Sequence, residues 1–288
     1  MVPAATTAVE TRGWGLIAGN GRFPFLVLEA ARRQGIEMVV LALREETFPE
    51  IEQVARRVHW VSLGELSRAI EILRAEGVRQ AVMAGQVRHN KIFSTIRPDW
   101  RLAKLLLTLP EKNTDALIGA IAGVLEQEGI RLVDSTAFLR PWLATAGVLT
   151  RRAPTAAEAA DFACGHRIAR AIAALDVGQT VVISQRACVA VEAMEGTDET
   201  IERAARIAGG RPLVVVKVSK PNQDMRFDVP VVGPSTIAVM RRANATALAL
   251  DAGKTLLLDC DELLAAADAA GIAIQAFEPP AAAAAAAP

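Results

Sequence analysis

The sequence predicts an α/β protein of two domains, an N-terminal Rossmann-like domain with a parallel sheet and a C-terminal α/β domain. Short apolar runs typical of buried strands alternate with segments whose apolar residues recur at helical spacing. Such alternation indicates parallel strands joined by crossover helices. Two prolines and a glycine interrupt it at 134–154, which indicates irregular structure. We therefore predict domains at 13–134 and 155–278, a linker at 135–154, and disordered tails at 1–12 and 279–288.

In the N-terminal half, proline and glycine mark where helices begin and end. The apolar run 14–18 indicates a buried strand, and Pro24, whose fixed φ suits a first helical turn, opens a helix that Gly35 ends. The remaining predicted elements of this half are strands at 37–43, 58–61, 81–84 and 130–133 and helices at 63–75, 100–109 and 114–128.

In the C-terminal half, Thr155 is placed to cap a long alanine-rich helix that runs to 175. The apolar runs 179–184 and 187–191 lie close together and predict two strands joined by a tight turn. The run 213–218 is strongly β-branched and predicts another strand. The remaining predicted elements are helices at 197–208, 235–244 and 261–270 and strands at 255–258 and 272–275.

The composition argues against several classes of protein. Hydrophobic residues make up 52% of the 288 residues, and the 32 basic and 32 acidic side chains give a net charge of zero. A general nucleic-acid binder needs a basic excess. No apolar stretch approaches the ~20 residues that span a bilayer, and residues 1–12 lack the pattern of a secretory signal. The three cysteines have no zinc spacing, so we expect small buried thiols in a reducing compartment.

A glycine-rich turn follows the first predicted strand. Gly19, Asn20 and Gly21 precede the helix that Pro24 opens, so their amides could approach a phosphate at a helix N-terminus. The dinucleotide-binding fingerprint requires a third glycine where Pro24 stands, which weakens the prediction of a NAD site. A nucleotide-phosphate site and a plain tight turn remain equal alternatives.

A second candidate site lies at the carboxyl end of the fourth predicted strand, the edge where open α/β sheets bind ligands. Gln86 is a candidate phosphate contact there, and Arg88 and His89 are candidates to contact a phosphate or a base. A lone histidine is more often a surface residue. We interpret His59 and His166 as structural.

The densest group of polar residues lies in the C-terminal half. The segment 195–198 follows a strand and begins a helix, so a cap at Thr197 and a favourable helix-dipole interaction of Asp198 would explain those two residues. Neither explanation covers Glu192, which directly follows an apolar strand.

Lys217 lies within the apolar run 213–218, where a strand buried on both faces would not accept an unpaired charge. Either that face is exposed, or the lysine meets an anion. The segment 220–228 then packs acids, amides and an arginine together at the end of the strand. Pyrophosphate cleavage needs this mixture, because carboxylates hold a metal ion or orient water while cations neutralise developing charge. A solvated polar loop is the alternative.

A second turn, 233–236, precedes another helix and could form a further anion site, with a plain cap at Ser235 as an equal alternative. The chain has no GxxxxGK[ST] loop and no GxSxG motif. It also lacks the metal motifs of calcineurin-like phosphoesterases and the glutamate-rich helix of Nudix hydrolases.

Several strings together resemble the LpxI family, the metal-dependent UDP-2,3-diacylglucosamine pyrophosphatases. The N-terminal string is Gly15-Leu16-Ile17-Ala18-Gly19 with Gly21 and Pro24. The C-terminal strings are Asp176-Val177-Gly178-Gln179, Val191-Glu192-Ala193 with Glu195-Gly196-Thr197-Asp198, and Lys217 followed by Lys220-Pro221 and Gln223-Asp224-Met225-Arg226-Phe227-Asp228. The spacing matches from Trp14 to Ala276. Asn20 and the stretch 88–97 depart from the family's pattern.

The resemblance implies two α/β domains with the ligand in the inter-domain cleft, and magnesium-assisted hydrolysis of UDP-2,3-diacylglucosamine in lipid A biosynthesis. The products would be UMP and 2,3-diacylglucosamine 1-phosphate (lipid X), with water attacking the sugar-side phosphorus. The family's essential aspartate falls on Asp224, and the predicted catalytic residues are Asp224, Lys217 and Arg226. The predicted substrate- or phosphate-binding residues are Gly19, Asn20, Gly21, Gln86, Thr197, Lys220, Gln223 and Thr236. The predicted ligands of Mg²⁺ or Mn²⁺ are Asp224, Asp228, Glu195 and Asp198.

We expect a cytoplasmic enzyme that contacts the inner-membrane surface transiently, because its substrate carries two acyl chains. The stretch 100–107 combines apolar and basic residues and is a candidate for that contact, although an ordinary core helix is favoured. A homodimer is left open. The alternative functions are a nucleotide-sugar or dinucleotide-binding oxidoreductase and a non-enzymatic lipid carrier.

Overall fold

A computed structural model describes residues 13–87, 97–109 and 114–280. Two compact units divide the chain between Leu139 and Arg140, so the predicted linker 135–154 falls partly in each. The predicted tails lie outside the described residues except for 279–280. Within the described ranges, no helix is both long enough and apolar enough to cross a membrane.

The first unit is built on a parallel sheet with strand order β3-β2-β1-β4-β5, which confirms the predicted Rossmann-like sheet. The strands are β1 (Trp14–Ala18), β2 (Val39–Leu43), β3 (Arg57–Val61), β4 (Gln80–Ala84) and β5 (Arg131–Leu132). The helices are α1 (Phe23–Arg33), α2 (Ile51–Val54), α3 (Leu66–Ala75), α4 (Trp100–Thr108) and α5 (Thr114–Gln127). The strand order reverses between β1 and β4, the position at which sheets of this kind bind ligands.

The second unit is built on a mixed sheet with strand order β6-β13-β11-β9-β7-β8. Its strands are β6 (Gly147–Val148), β7 (Thr180–Ser184), β8 (Ala187–Val191), β9 (Leu213–Lys217), β11 (Ala245–Asp251) and β13 (Ala273–Phe277), while β10 (Val231–Val232) pairs separately with β12 (Leu256–Leu257). The helices are α6 (Ala156–Ala174), α7 (Thr197–Ala208), α8 (Pro234–Arg242) and α9 (Cys260–Ala269), and Arg140–Trp142 forms a 3₁₀ turn. Strands β13, β11 and β9 run parallel, whereas β7 runs antiparallel to β9.

Strand β11 lies at the centre of this sheet, between β9 and β13, and the sequence analysis missed it. Its residues alternate alanine and larger side chains, and alanine is a poor strand former, so local pattern gave no signal. The small Ala247 and Ala249 pack in the cluster that contains α6, whereas Leu248 and Leu250 pack with α7, α8 and α9. The predicted strand at 255–258 is the short β12, outside the main sheet.

The predicted pair of strands with a tight turn is confirmed as the β7–β8 hairpin. Its two turn residues, Gln185 and Arg186, both have positive φ, the conformation that matches the twist of a two-residue hairpin. Because β8 is an edge strand, Cys188 is exposed. The expectation of three buried cysteines is therefore wrong, since Cys164 and Cys260 are also only partly buried.

Helix α6 begins at a capping box and packs closely on the sheet. The Thr155 hydroxyl accepts a hydrogen bond from the Glu158 amide, and the Glu158 carboxylate accepts one from the Thr155 amide. This arrangement confirms the predicted cap. At Gly165 an added Cβ would lie 2.5 Å from Val216 Cγ2. The missing side chain therefore lets α6 approach β9, the strand that ends at Lys217.

Replacing Gly165 tests this close packing. Gly165→Ala should lower the free energy of unfolding by about 1–3 kcal/mol, because the new methyl group overpacks against Val216. Gly123→Ala in α5, where the Cβ position meets open space, should instead raise it by about 0.5–1 kcal/mol. Urea denaturation measures both values. A Gly165→Ala protein as stable as the wild type would contradict the close approach of α6 to β9.

Candidate active site

One edge of the second sheet gathers polar residues from four neighbouring strands. Lys217 ends β9 opposite Thr180 at the start of the antiparallel β7, and Asp251 ends the parallel β11. Glu192 follows β8, whose last residue pairs with the second residue of β7. Helices α7 and α8 begin after Gly196 and Gly233 with no side-chain cap. The first turn of α7 can therefore offer amides to an anion, whereas α8 begins with Pro234, which has no N–H, and its Thr236 amide donates to the Gly233 carbonyl.

A buried polar cluster links three of these strands to helix α7. The Lys217 ammonium donates to Thr197 Oγ1 at 2.7 Å, and Thr197 Oγ1 donates to Glu192 Oε1 at 2.9 Å. Thr180 Oγ1 lies 3.1 Å from Thr197 Oγ1. Lys217 is 9% exposed and Glu192 is 8% exposed. The lysine that the sequence placed in an apolar strand is therefore buried and is connected to a carboxylate through a hydroxyl group.

The Glu192 carboxylate is held in its charged form. Burial alone would raise its pKa, but the Lys217 charge and several hydrogen bonds outweigh burial, so the pKa lies below its usual value. The Gln179 amide donates to the second carboxylate oxygen, Oε2, at 3.1 Å. Both oxygens of Glu192 therefore have donors within the protein. The buried Gln179 Oε1 accepts no hydrogen bond from the described residues.

Thr197 does not cap helix α7. The cap position belongs to Gly196, which has a φ of +87° that a side chain would strain. Thr197 instead turns its hydroxyl into the cluster with Lys217 and Glu192. Ser235 is likewise not the cap of α8, because Gly233 occupies that position.

Asp251 anchors the segment that follows β9. It is fully buried, and Arg170 from α6 donates to both of its oxygens at 2.8 and 2.5 Å. The Ser219 amide and hydroxyl donate to Asp251 Oδ2 at 2.6 and 2.7 Å. This pairing fixes the chain immediately before the polar segment 220–228. Sequence analysis missed Asp251 and Arg170, although Asp251 is a charged residue in a mostly apolar stretch, as Lys217 is.

Lys220 and Gln223 lie in a network of hydrogen bonds and ion pairs at the start of the polar segment. Lys220 Nζ lies 2.7 Å from Asp176 Oδ1 and 3.1 Å from Asp228 Oδ2. The Gln223 side chain donates a hydrogen bond to the Asp228 carboxylate, and its Oε1 accepts one from the Lys220 amide at 2.7 Å. The structure thus brings together three residues that the sequence analysis assigned to phosphate or metal binding, Lys220, Gln223 and Asp228.

Asp224, the predicted catalytic aspartate, forms a two-pronged ion pair with Arg226. Arg226 Nε donates to Asp224 Oδ1 at 2.9 Å and Nη2 donates to Oδ2 at 2.7 Å. The Arg226 amide also donates to Oδ1 at 3.0 Å. The Arg226 hydrogen bonds hold the pKa of Asp224 below its usual value. Both side chains are partly exposed, so a ligand can reach the pair.

The other predicted site carboxylates have partners of their own. Glu195 accepts from Arg203 Nη2 at 2.5 Å, and hydrogen bonds, led by its own amide, lower its pKa. Asp198 accepts from the Thr236 hydroxyl at 2.8 Å, which joins the first turns of α7 and α8. Thr236 is therefore held at the same sheet edge.

The predicted metal ligands do not form a preformed metal site. In the described part of the chain, no three histidine, cysteine, aspartate or glutamate side chains are grouped so that they could hold a metal ion. Asp224 is paired with Arg226, and Asp228 with Lys220. This donor set therefore does not fit a metal ion bound by protein ligands alone, which would need several oxygens directed at one point.

The glycine-rich turn of the first unit uses its amides within the protein. Gly19 and Asn20 donate to the carbonyls of Ala84 and Gln86, and Gln86 donates back to Asn20. The Gly19, Asn20 and Gln86 amides are therefore engaged within the protein, so a phosphate would have to be bound by other groups of this turn. The Asn20 side chain donates to the buried Glu46 at 3.3 Å. Phosphate binding by Gly19, Asn20, Gly21 and Gln86 stays a prediction.

Two of the three histidines, His59 and His166, were predicted to be structural. His59 pairs with Glu76 at 2.8 Å, and His166 packs edge-on against Phe277 with ring centroids 4.8 Å apart. Burial lowers the pKa of His166. Arg88 and His89 lie outside the described residues.

Comparison with known proteins gives a match over both units. The model of the LpxI N-terminal domain matches residues 13–142, and that of the LpxI C-terminal domain matches residues 145–275. A relative from Caulobacter vibrioides, named UDP-2,3-diacylglucosamine pyrophosphatase LpxI, is 31% identical over 278 residues. The alignment covers 93% of this chain and 98% of the relative.

Solved structures give weaker similarities. The biotin carboxylase domain of Hydrogenobacter thermophilus 2-oxoglutarate carboxylase is 12% identical, over 68% of this chain and 41% of that chain, with a TM-score of 0.26. An N5-carboxyaminoimidazole ribonucleotide synthetase is 14% identical, over 69% of this chain and 44% of that chain, with a TM-score of 0.27. This chain spans less than half of each, and at TM-scores this low neither similarity bears on its fold or function.

The buried Arg170–Asp251 pair should be essential for the stability of the second unit. Arg170→Met should lower the free energy of unfolding by about 3–5 kcal/mol, because Asp251 would become an uncompensated buried charge. Arg242→Met, which removes an exposed pair with Glu202, should cost at most about 1 kcal/mol. Chemical denaturation of the two variants measures the difference. Equal losses would show that Asp251 does not depend on Arg170.

Proposed function

This chain belongs to the LpxI family, and we propose that it hydrolyses the pyrophosphate of UDP-2,3-diacylglucosamine in lipid A synthesis, releasing UMP and 2,3-diacylglucosamine 1-phosphate. The Caulobacter vibrioides relative carries the name of that activity. The structural observation that supports it is the buried Lys217 ammonium at a sheet edge where two helices begin without side-chain caps. A pyrophosphate is the kind of anion that such an edge attracts.

Lys217 is proposed to neutralise charge on the pyrophosphate. An ammonium has three donors, and the described residues account for the one directed at Thr197 Oγ1. The remaining donors can bind phosphoryl oxygens. Because the site is largely removed from water, a fixed cation there stabilises developing charge more strongly than it would in solution. Thr197, with its hydroxyl engaged by Lys217 and Glu192, contributes to substrate binding chiefly by holding this cation.

Asp224 and Arg226 are proposed to exchange partners when substrate arrives. In the structure, Arg226 supplies donors to both Asp224 oxygens, which leaves the carboxylate little capacity to orient a water molecule. A phosphate offers the guanidinium an equally good two-pronged acceptor. Transfer of Arg226 to the substrate would free Asp224 to accept a proton from the attacking water. We propose that this water attacks the sugar-side phosphorus and that UMP is the leaving group.

Lys220, Gln223 and Thr236 are proposed as further phosphate contacts around this centre. Before substrate binds, Lys220 and Gln223 are held by Asp228, and Thr236 is held by Asp198. These carboxylates keep the binding groups near the sheet edge.

Contact with a membrane surface is proposed for helix α4. Leu102 is buried in the core, whereas Trp100 and Leu107 are 67% and 87% exposed. Trp100, Lys104 and Leu107 follow helical spacing and share one exposed face. An exposed tryptophan and leucine beside a lysine suit the boundary between acyl chains and anionic headgroups. Homodimer formation stays a prediction.

Release of UMP from purified UDP-2,3-diacylglucosamine tests the proposed function. We expect catalytic release of UMP together with 2,3-diacylglucosamine 1-phosphate, detected by mass spectrometry. UDP-glucosamine without acyl chains should be a very poor substrate, because its binding lacks the burial of two acyl chains, about 0.8 kcal/mol for each CH₂. Equal kcat/KM for the two compounds would remove the lipid from this function.

Asp224→Asn should lower kcat by about 10²–10⁴-fold, because an amide of the same shape cannot accept the proton of the attacking water. Asp261→Asn, an exposed aspartate in the first turn of α9, is the matched control and should retain the activity. Steady-state kinetics of UMP release measures both. An Asp224→Asn enzyme within tenfold of wild type would remove Asp224 from the reaction.

Magnesium dependence is proposed in a form that needs no preformed protein site. Excess EDTA should abolish UMP release and added Mg²⁺ or Mn²⁺ should restore it, because Mg²⁺ commonly binds through one or two carboxylates and substrate phosphates. Calorimetric titration of Mg²⁺ into the protein without substrate should give no tight binding, as the separated carboxylates lead us to expect. Full activity in excess EDTA would contradict the metal requirement.

A further inference from the structure

We propose that Glu192 is a positioning residue for the hydrolysis reaction, holding the Lys217 ammonium in place against the pyrophosphate through the hydroxyl of Thr197. The inference rests on the proposed function. It adds a residue that belongs to neither the predicted catalytic set nor the predicted metal ligands.

The hydroxyl group of Thr197 transmits the effect of Glu192. A threonine hydroxyl has one proton, and the Thr197 proton is directed to Glu192 Oε1 at 2.9 Å. The lone pairs of the same oxygen then face Lys217 Nζ, which donates to it at 2.7 Å. The carboxylate therefore fixes the orientation of the hydroxyl, and the hydroxyl fixes the position of the ammonium.

Glu192 is itself held firmly from the opposite side. The Gln179 amide donates to Glu192 Oε2 at 3.1 Å, and the Glu192 amide donates to the Thr180 carbonyl at 2.9 Å. Gly178 makes this approach possible, because a Cβ there would lie 2.0 Å from the Glu192 carbonyl oxygen. With both carboxylate oxygens engaged by protein donors, Glu192 acts on the reaction through Thr197 and Lys217.

A purely structural role for Glu192 gives a different expectation. If the carboxylate served solely to compensate a buried lysine, its loss would lower stability while the folded enzyme kept its kcat. If Glu192 positions Lys217, kcat falls even in fully folded protein, because a displacement of about 1 Å in a charge-stabilising group costs about 10²-fold. KM for the substrate should change much less, since other groups also bind it.

The decisive experiment is a double-mutant cycle with Glu192→Gln and Lys217→Met. We expect Glu192→Gln to lower kcat for UMP release by about 10²-fold. In the Lys217→Met background the same change should alter kcat by less than about threefold, because Glu192 acts through the missing ammonium. Glu199→Gln, an exposed glutamate in the first turn of α7, is the matched control. Additive losses, or a Glu192→Gln enzyme within about threefold of wild type, would overturn the inference.

Thr197 provides a second measurement if Glu192→Gln does not fold. Thr197→Val removes the hydroxyl but keeps the shape and both charges, and it should lower kcat as Glu192→Gln would. Thr197→Ser keeps the hydroxyl and should retain more of the activity than Thr197→Val. Equal activity of these two variants would overturn the inference, because the hydroxyl would then not be needed to position Lys217. Thermal melting confirms that each assayed protein is folded.

Binding of inorganic pyrophosphate separates this inference from the proposed function. Calorimetric titration should show weaker pyrophosphate binding for Glu192→Gln than for wild type, and no further weakening when Glu192→Gln is added to Lys217→Met. If wild type releases no UMP, the proposed function fails and pyrophosphate binding alone decides the inference. Equal affinity of wild type and Glu192→Gln, or binding by neither, would then overturn it.

Discussion

The burial of a charged lysine at the end of an apolar strand is the constraint on which the arrangement of the second unit depends. Removing an ammonium from water costs several kcal/mol unless nearby groups compensate it. Strand β9 can therefore end at Lys217 because Glu192 and two threonine hydroxyls lie beside it. The β7–β8 hairpin brings Glu192 to that edge, since β8 returns antiparallel along β7. The tight turn at Gln185 and Arg186 thus contributes to placing Glu192 at the edge where Lys217 is buried.

The neighbouring strand follows the same principle with the opposite charge. Asp251 ends β11 and is compensated by Arg170 from α6 and by the amide and hydroxyl of Ser219. Both strands carry apolar side chains up to a buried charge at the same edge of the sheet. The close packing of α6 through Gly165 keeps Arg170 within reach. A rigid frame of this kind suits groups that must be held in one position.

The groups that follow this frame are arranged differently. The ion pair between Asp224 and Arg226 is local in sequence and partly exposed, so its partners can be exchanged at little cost. Lys220, Gln223 and Asp228 also satisfy one another within a short segment. The second unit therefore combines a fixed buried cation with an exchangeable surface pair, and the proposed pyrophosphate hydrolysis needs both a group that stays in place and groups that respond to the arriving charge.

Local pattern was sufficient to predict much of the fold and to indicate a candidate site. Hydrophobic periodicity predicted the parallel sheet of the first unit and the β7–β8 hairpin, and the cap at Thr155 followed from residue type alone. A lysine inside the apolar run 213–218 indicated the candidate site, because a buried charge is costly in any fold. The family could also be inferred from unusual strings in the C-terminal half.

Tertiary structure alone decided the partners of these residues. Strand β11 can be central because its alanines fit beneath α6. The sequence of the strand alone does not show this, because the fit depends on the helix that packs on it. Thr197 has the residue type of a helix cap, yet its hydroxyl joins Glu192, five positions before it, to Lys217, 20 positions after it. Asp251 and Arg170 are separated by 81 positions. A sequence shows where a charge needs a partner, but which partner it meets depends on strand order and helix packing, and these are set by contacts between distant parts of the chain.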